Sequence, residues 1–196
     1  FSPKTLFSTT TPMIIGIVVS AVTPLVLPPR AFARRTVDVP AEDALPFSET
    51  AARRVEKLCD ASADVASKII LSLAALLTVM NIGMVVPDVA IPFWLGIALL
   101  IGFTVYVVVV ALRMTNAKDG IEPDADEQAR NERLRYQGGM GTYTAPNDPM
   151  LAAVLPSNRG KIAVNTAHAP GKQYLRRIIV GAVMIVAVPM AIVVAM

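Results

Sequence analysis

One cysteine, Cys59, and one histidine, His168, occur in 196 residues. A lone cysteine excludes a disulfide within the chain. A lone histidine excludes a His-rich metal cage, and a bis-histidine haem held by this chain alone. Aromatic residues amount to 6%, and no basic stripe is interleaved with them, so nucleic acid is not an expected partner. The only glycine cluster, Gly138-Gly139-Met140-Gly141, lacks both the Lys-Ser/Thr ending of a phosphate loop and the preceding strand of a dinucleotide fingerprint. No Ser-His-Asp arrangement can be argued from one histidine on a segment without periodicity. The expectation is a protein that is not an enzyme, with no catalytic residues, no metal site and no soluble small-molecule substrate.

Apolar residues, by contrast, reach 54%, charged residues only 17%, and the mean hydropathy is +0.56. This balance is unusual for a soluble domain. The apolar residues gather into four runs, 13–27, 69–86, 92–112 and 178–196. As helices the last three would extend about 27, 31 and 28 Å, close to the ~30 Å hydrocarbon core of a bilayer, and the first about 22 Å. None of the runs contains Asp, Glu, Lys, Arg or His. Proton relays and ion paths usually need ionisable groups within the membrane, so a small channel or carrier is only a third reading.

Charge segregates strongly across these runs. If all four span, only Lys4 among eighteen Lys and Arg residues, and only Asp88 among the acids, fall on the far side. Excess basic charge marks the side from which insertion occurs. Residues 87–91 allow only a tight hairpin between the second and third runs, with Pro87 and Pro92 at its ends. The expected fold class is therefore an all-α integral membrane protein of about four transmembrane helices. Its short helices and long irregular segments lie on the basic side, and both termini lie opposite.

The start of the chain carries no acid through residue 37 and is crowded with Ser and Thr. That composition resembles what remains of an organellar transit sequence. It gives a slight preference for the plastid thylakoid over the mitochondrial inner membrane, with the basic segments on the stroma or matrix side. A cleaved signal peptide ending at Ala31-Phe32-Ala33 would carry Arg34 and Arg35 against the charge rule, so 13–27 is expected to be a retained anchor after a tail at 1–12.

Within the basic-side segment 28–68, residues 50–68 are predicted as an amphipathic helix running on into the hairpin at 69–112. Its stripe is Val55, Leu58, Cys59, Ser62, Val65, Ala66 and Ile69, and its two candidate roles are packing on this chain's own loop and docking a partner. The segment 113–177 is expected to be an extended arm holding a helix at 122–137, before the last membrane helix at 178–196. That helix is polar almost all round, with Ala129 and Leu134 as its apolar contacts, and needs a partner or a charged neighbour. Residues 138–171 show no periodicity, and Asp148-Pro149 reads as a cap and first position of one helical turn through Val154. An irregular segment of this length must find order on something else.

Two residues are candidate ligands for a pigment or haem. Asn81 lies within the second run and His168 lies just before the fourth. Asn81 equally suits an interhelical hydrogen bond, and His168 a solvated loop. Gly16 with Ser20, and Ala98 with Gly102, have the small-xxx-small spacing of closely packed membrane helices. No cofactor is required, though chlorophyll, carotenoid or lipid could sit on the helix surface. The expected function is a non-catalytic accessory subunit of a large organellar bioenergetic membrane complex, a photosystem or respiratory assembly. Its partners would be other membrane subunits and lipids. A transient assembly factor is the alternative.

Overall fold

The computed structural model describes residue 16 and residues 27–40, 42–85, 92–115, 120–137, 139, 141–158 and 161–195. The described residues form three long helices, α1 (Glu49–Val85), α2 (Phe93–Thr115) and α4 (Ala169–Ala195), and a nine-residue one, α3 (Ala125–Arg133). Three short strands accompany them: β1 (Thr142–Tyr143), β2 (Ala152–Val154) and β3 (Ile162–Asn165). The chain divides into two compact units. One holds residues 27–63 and 114–179, and the other holds Gly16 with residues 64–113 and 180–195.

The sheet corrects the all-α expectation. Its order is β1-β3-β2, with β1 parallel to β3 and β2 antiparallel to it. Thr142 lies opposite Val164, Tyr143 opposite Asn165, and Ala153 opposite Ala163. Strands of two to four residues are too short to show an alternating pattern, and so they read as irregular chain. The single helical turn expected from Asp148 to Val154 is absent as well. Asp148 is buried, and Ala152–Val154 is a strand.

The second correction concerns the arm. The described residues from 120 to 177 do not lie extended, because they fold with the segment after residue 27 around apolar clusters of their own. Phe32, Ala33, Val55, Cys59, Leu151, Ala152, Val164 and Tyr174 form one. Leu45, Leu134, Tyr143, Ala145, Ala153, Leu155 and Ala163 form another. Phe32 and Tyr174 meet edge to face at 5.9 Å, worth about 1 kcal/mol beyond the area they bury. Val55, Leu58 and Cys59 on α1 are buried in this unit, so the first part of the amphipathic stripe packs on the chain's own loops.

Helix α3 is shorter than the predicted 122–137. Asp124 caps it, Leu134 closes it in a turn, and Ala129 is exposed while Leu134 is buried. What anchors α3 is charge, since Glu127 and Arg130 are both buried.

Among the described residues, α1 over Glu49–Met80 and α2 over Trp94–Arg113 are long and apolar enough to cross a membrane, by length and composition. The run 13–27 falls outside the described residues apart from Gly16 and Leu27, and so does the connection 87–91.

One close approach is set by a glycine. A Cβ on Gly171, in the first turn of α4, would stand 1.8 Å from the carbonyl oxygen of Asn165 and 2.7 Å from its carbon. Backbone atoms cannot yield as a flexible side chain would. Gly171→Ala should therefore cost about 3 kcal/mol or more. Gly102→Ala, with nothing among the described residues within 4 Å of the added atom, should change stability by less than about 1 kcal/mol. Thermal unfolding of the two purified variants in detergent, followed by circular dichroism, checks this, and equal midpoints would refute the close approach.

Candidate functional site

The polar residues of the folded unit converge on the loop between β1 and β2, residues 144–151. At its centre Asp148 is fully buried, and its carboxylate accepts four hydrogen bonds. Arg130 Nη1 reaches Oδ1 at 2.6 Å and Nη2 reaches Oδ2 at 2.8 Å, a bidentate pair with 2% and 0% of the two side chains exposed. The backbone N–H of Met150 donates to Oδ1 at 2.9 Å and the Tyr143 hydroxyl to Oδ2 at 2.8 Å. A carboxylate offers about four lone-pair positions, and here all are taken. Burial, and then the charge of Asp148, push the Tyr143 hydroxyl well above its ordinary value, so it stays a donor.

The loop's backbone is satisfied from several elements at once. The Asn165 side chain accepts from the N–H groups of Ala145 and Ala167 and donates to the Ala145 carbonyl at 2.8 Å. From the 27–48 segment, Val37 N–H donates to the Pro149 carbonyl and Leu45 N–H to that of Asn147. His168 Nε2 stands 2.8 Å from the Asp148 carbonyl oxygen. A carbonyl can only accept, so Nε2 carries the proton in this contact and Nδ1 keeps its lone pair. Through this bond His168 ties the start of α4 to the loop.

A second network joins α1 to α3. Ser48 caps α1 through the N–H of Ala51 and donates to Asp124 Oδ1 at 2.9 Å. Asp124 caps α3 by accepting from the Glu127 N–H at 2.6 Å. The Thr50 hydroxyl donates to Glu127 Oε2 at 2.7 Å and accepts from the Asp124 N–H at 3.1 Å. Arg54 completes the set, pairing with Glu127 at 2.9 Å and donating to the Ile121 carbonyl at 2.9 Å. Burial alone would raise the Asp124 carboxyl, but its hydrogen bonds from Glu127, Ser48 and Thr50 outweigh that and hold it below 3.8. On the surface, hydrogen bonds from Arg34 hold Glu49 and Glu56 below their ordinary 4.5. Burial raises the Cys59 thiol to about 11, so it acts as a packing residue.

The other residues singled out in the sequence are scattered. Asn81 lies on α1. A Cβ on Gly16 would meet Leu77 Cδ1 of α1 at 3.2 Å, whereas Ser20 is outside the described residues. Ala98 and Gly102 are exposed on α2, with open space around Gly102. Among the described residues no three of His, Cys, Asp and Glu group as metal ligands. Sequence reasoning missed the Arg130–Asp148–Tyr143–Asn165 constellation entirely. The one available signal was a charged residue, Asp148, set among apolar positions with Pro149 behind it.

Chemically, both networks are closed. Asp148 is saturated by this chain's own donors, and Asp124 and Glu127 each accept three hydrogen bonds from it, which suits them to fixing loops and helix ends.

Removing one partner from the buried pair leaves a charge uncompensated. Arg130→Met should cost about 3–5 kcal/mol, while Arg130→Met combined with Asp148→Asn should recover part of that loss. Urea unfolding of both variants, with additive losses as the contrary result, decides this. Acid should also loosen the α1–α3 junction. Carboxyls lowered in the fold, Asp124 among them, contribute stability that is complete above their ordinary values of 3.8 to 4.5 and is lost as pH falls through the lowered ones. The unfolding midpoint should therefore be flat above about pH 5 and drop below about pH 4, with a shallower drop in Asp124→Asn. Parallel acid profiles for the two proteins would count against this cause.

Searches of protein families, curated proteins and solved structures find no match for this chain, so its function is argued from these residues alone.

Proposed function

We propose that the chain is a non-catalytic, four-span membrane subunit that stabilises neighbouring membrane subunits, in an organellar bioenergetic complex. The observation that carries this reading is the contrast between its two units. In the folded unit the buried polar groups are satisfied from within: Asp148 by four donors, Asn165 by the loop backbone, and Glu127 by Arg54 and Thr50. In the other, α2 turns Trp94, Leu100, Ile101, Val105 and Leu112 outward, with Trp94 69% exposed. Apolar side chains of this size contact lipid or other membrane helices when the protein is in place.

The arm expected from the sequence lends no support, because its described residues from 120 onward fold within the chain. The apolar helices and the sequence's charge segregation remain. The thylakoid setting rests on the acid-free, hydroxyl-rich composition of residues 1–37, and the placement of the basic segments on the stroma side rests on the excess of Lys and Arg there.

Extraction of native membranes in mild detergent, followed by a stringent wash, tests the reading. The chain should stay in a stoichiometric particle several times its own 20.9 kDa. Recovery as a lone chain would overturn it, and substoichiometric recovery would favour the transient assembly factor. In a Cys59→Ser background, cysteines placed at Asp88 and Arg135 should label from opposite sides of the membrane. Labelling from one side would remove the four-span topology.

A further inference from the structure

The chain's positive charge has a specific location. After Asp148 the sequence contains no carboxylate, yet the 48 residues from Pro149 carry Arg159, Lys161, Lys172, Arg176 and Arg177. Residues 1–148 hold thirteen cations against fifteen acids, so the net +3 arises entirely in this last stretch.

Among the described residues, six of the thirteen cations in the first part form ion pairs, Arg53 with Glu49 among them. Arg30 pairs with Asp60, Arg34 with Glu49 and Glu56, Arg54 with Glu127, and Arg130 with Asp148. Lys68, one residue before the apolar run of α1, pairs with Asp64 one turn back. The entry to the apolar run of α4 is different. Lys172, Arg176 and Arg177 are exposed, and among the described residues none of the three forms an ion pair.

Their placement on the helix is orderly. Gly171 and Tyr174 are buried and Ile178 packs against the core, at spacings of three and four, while Lys172, Gln173, Arg176 and Arg177 take the opposite side. Arg176 and Arg177 immediately precede the run that begins at Ile178, and Lys172 lies about 9 Å before it along the axis. Guanidinium groups bind phosphate oxygens bidentately, and a lysine adds a point charge. We propose that this face of α4 binds the phosphate headgroups of anionic phospholipids at the membrane surface. The proposal rests on the membrane reading above. It adds a partner class and three residues to it.

Each cation near an anionic surface contributes roughly fivefold to lipid affinity, so the three together amount to on the order of a hundredfold. The test uses the full chain in zwitterionic nanodiscs, titrated with phosphatidylglycerol and with phosphatidylcholine, with bound lipid counted by native mass spectrometry. Wild type should prefer phosphatidylglycerol, and K172Q/R176Q/R177Q should lose most of that preference. R133Q/R135Q, which removes two exposed cations from α3 and the turn after it, should keep it. R176K/R177K should retain most of the preference, and single Gln variants should lose it in steps, which carries the test even if the triple variant folds poorly.

Equal binding of the two lipids by wild type, or an unchanged preference in the Gln variants, would overturn the proposal. Displacement of phosphatidylglycerol by millimolar inorganic phosphate would also overturn it, in favour of a site for free anions. Carbonate extraction of the wild type is the separate arm. Release from the membrane refutes the membrane reading itself, whereas retention with no lipid preference refutes only this inference.

Discussion

A carboxylate stripped of water must be met by opposite charge and by donors on all its lone pairs, or it will not stay ionised inside a fold. Asp148 meets both demands through Arg130, Tyr143 and Met150. The rest of the folded unit follows from that requirement. Arg130 can reach Asp148 only if α3 lies beside the β1–β2 loop. Once there, the guanidinium also donates to the Pro46 carbonyl and ties in the segment that leads to α1. Tyr143 brings β1 into the same centre, and β1 pairs with β3. The apolar clusters supply the larger share of the burial, but the ion pair selects which loops and helix ends meet.

This arrangement also explains how so polar a helix persists. Nine residues with few apolar positions would be marginal alone. Glu127 and Arg130 lie one turn apart, and each finds a partner on a different element, Arg54 of α1 and Asp148 of the loop. With Asp124 as a shared cap between the networks of α1 and α3, the helix is held at both ends by charge-assisted bonds. The requirement for a charged neighbour was legible from composition. Which neighbours would serve was not, because they stand 73 and 18 residues away in the chain.

The strands were hidden for a related reason. Residues 138–171 look irregular because two to four residues of strand leave no periodic trace, and because the side chains that order the segment act across it. Asn165 is the clearest case. In sequence it is one amide near a turn, and in the fold it bonds the backbone at Ala145 and Ala167. His168 read as a candidate ligand or a loop residue, and in the fold its Nε2 bonds the Asp148 carbonyl. Nothing in the sequence marks Gly171, yet the backbone of Asn165 leaves no room there for even a methyl group.

Sequence alone determined the long apolar helices, the segregation of charge around them, the apolar stripe of α1 and the polarity of α3. These are periodic or cumulative properties, written in spacing and composition, and they hold whatever the rest of the chain does. Tertiary structure alone decided that the presumed arm would fold, that a small sheet would form, and that Asp148 would be the centre. Those outcomes turn on pairings between distant residues, where one donor meets one acceptor once, and such a pairing has no period to read.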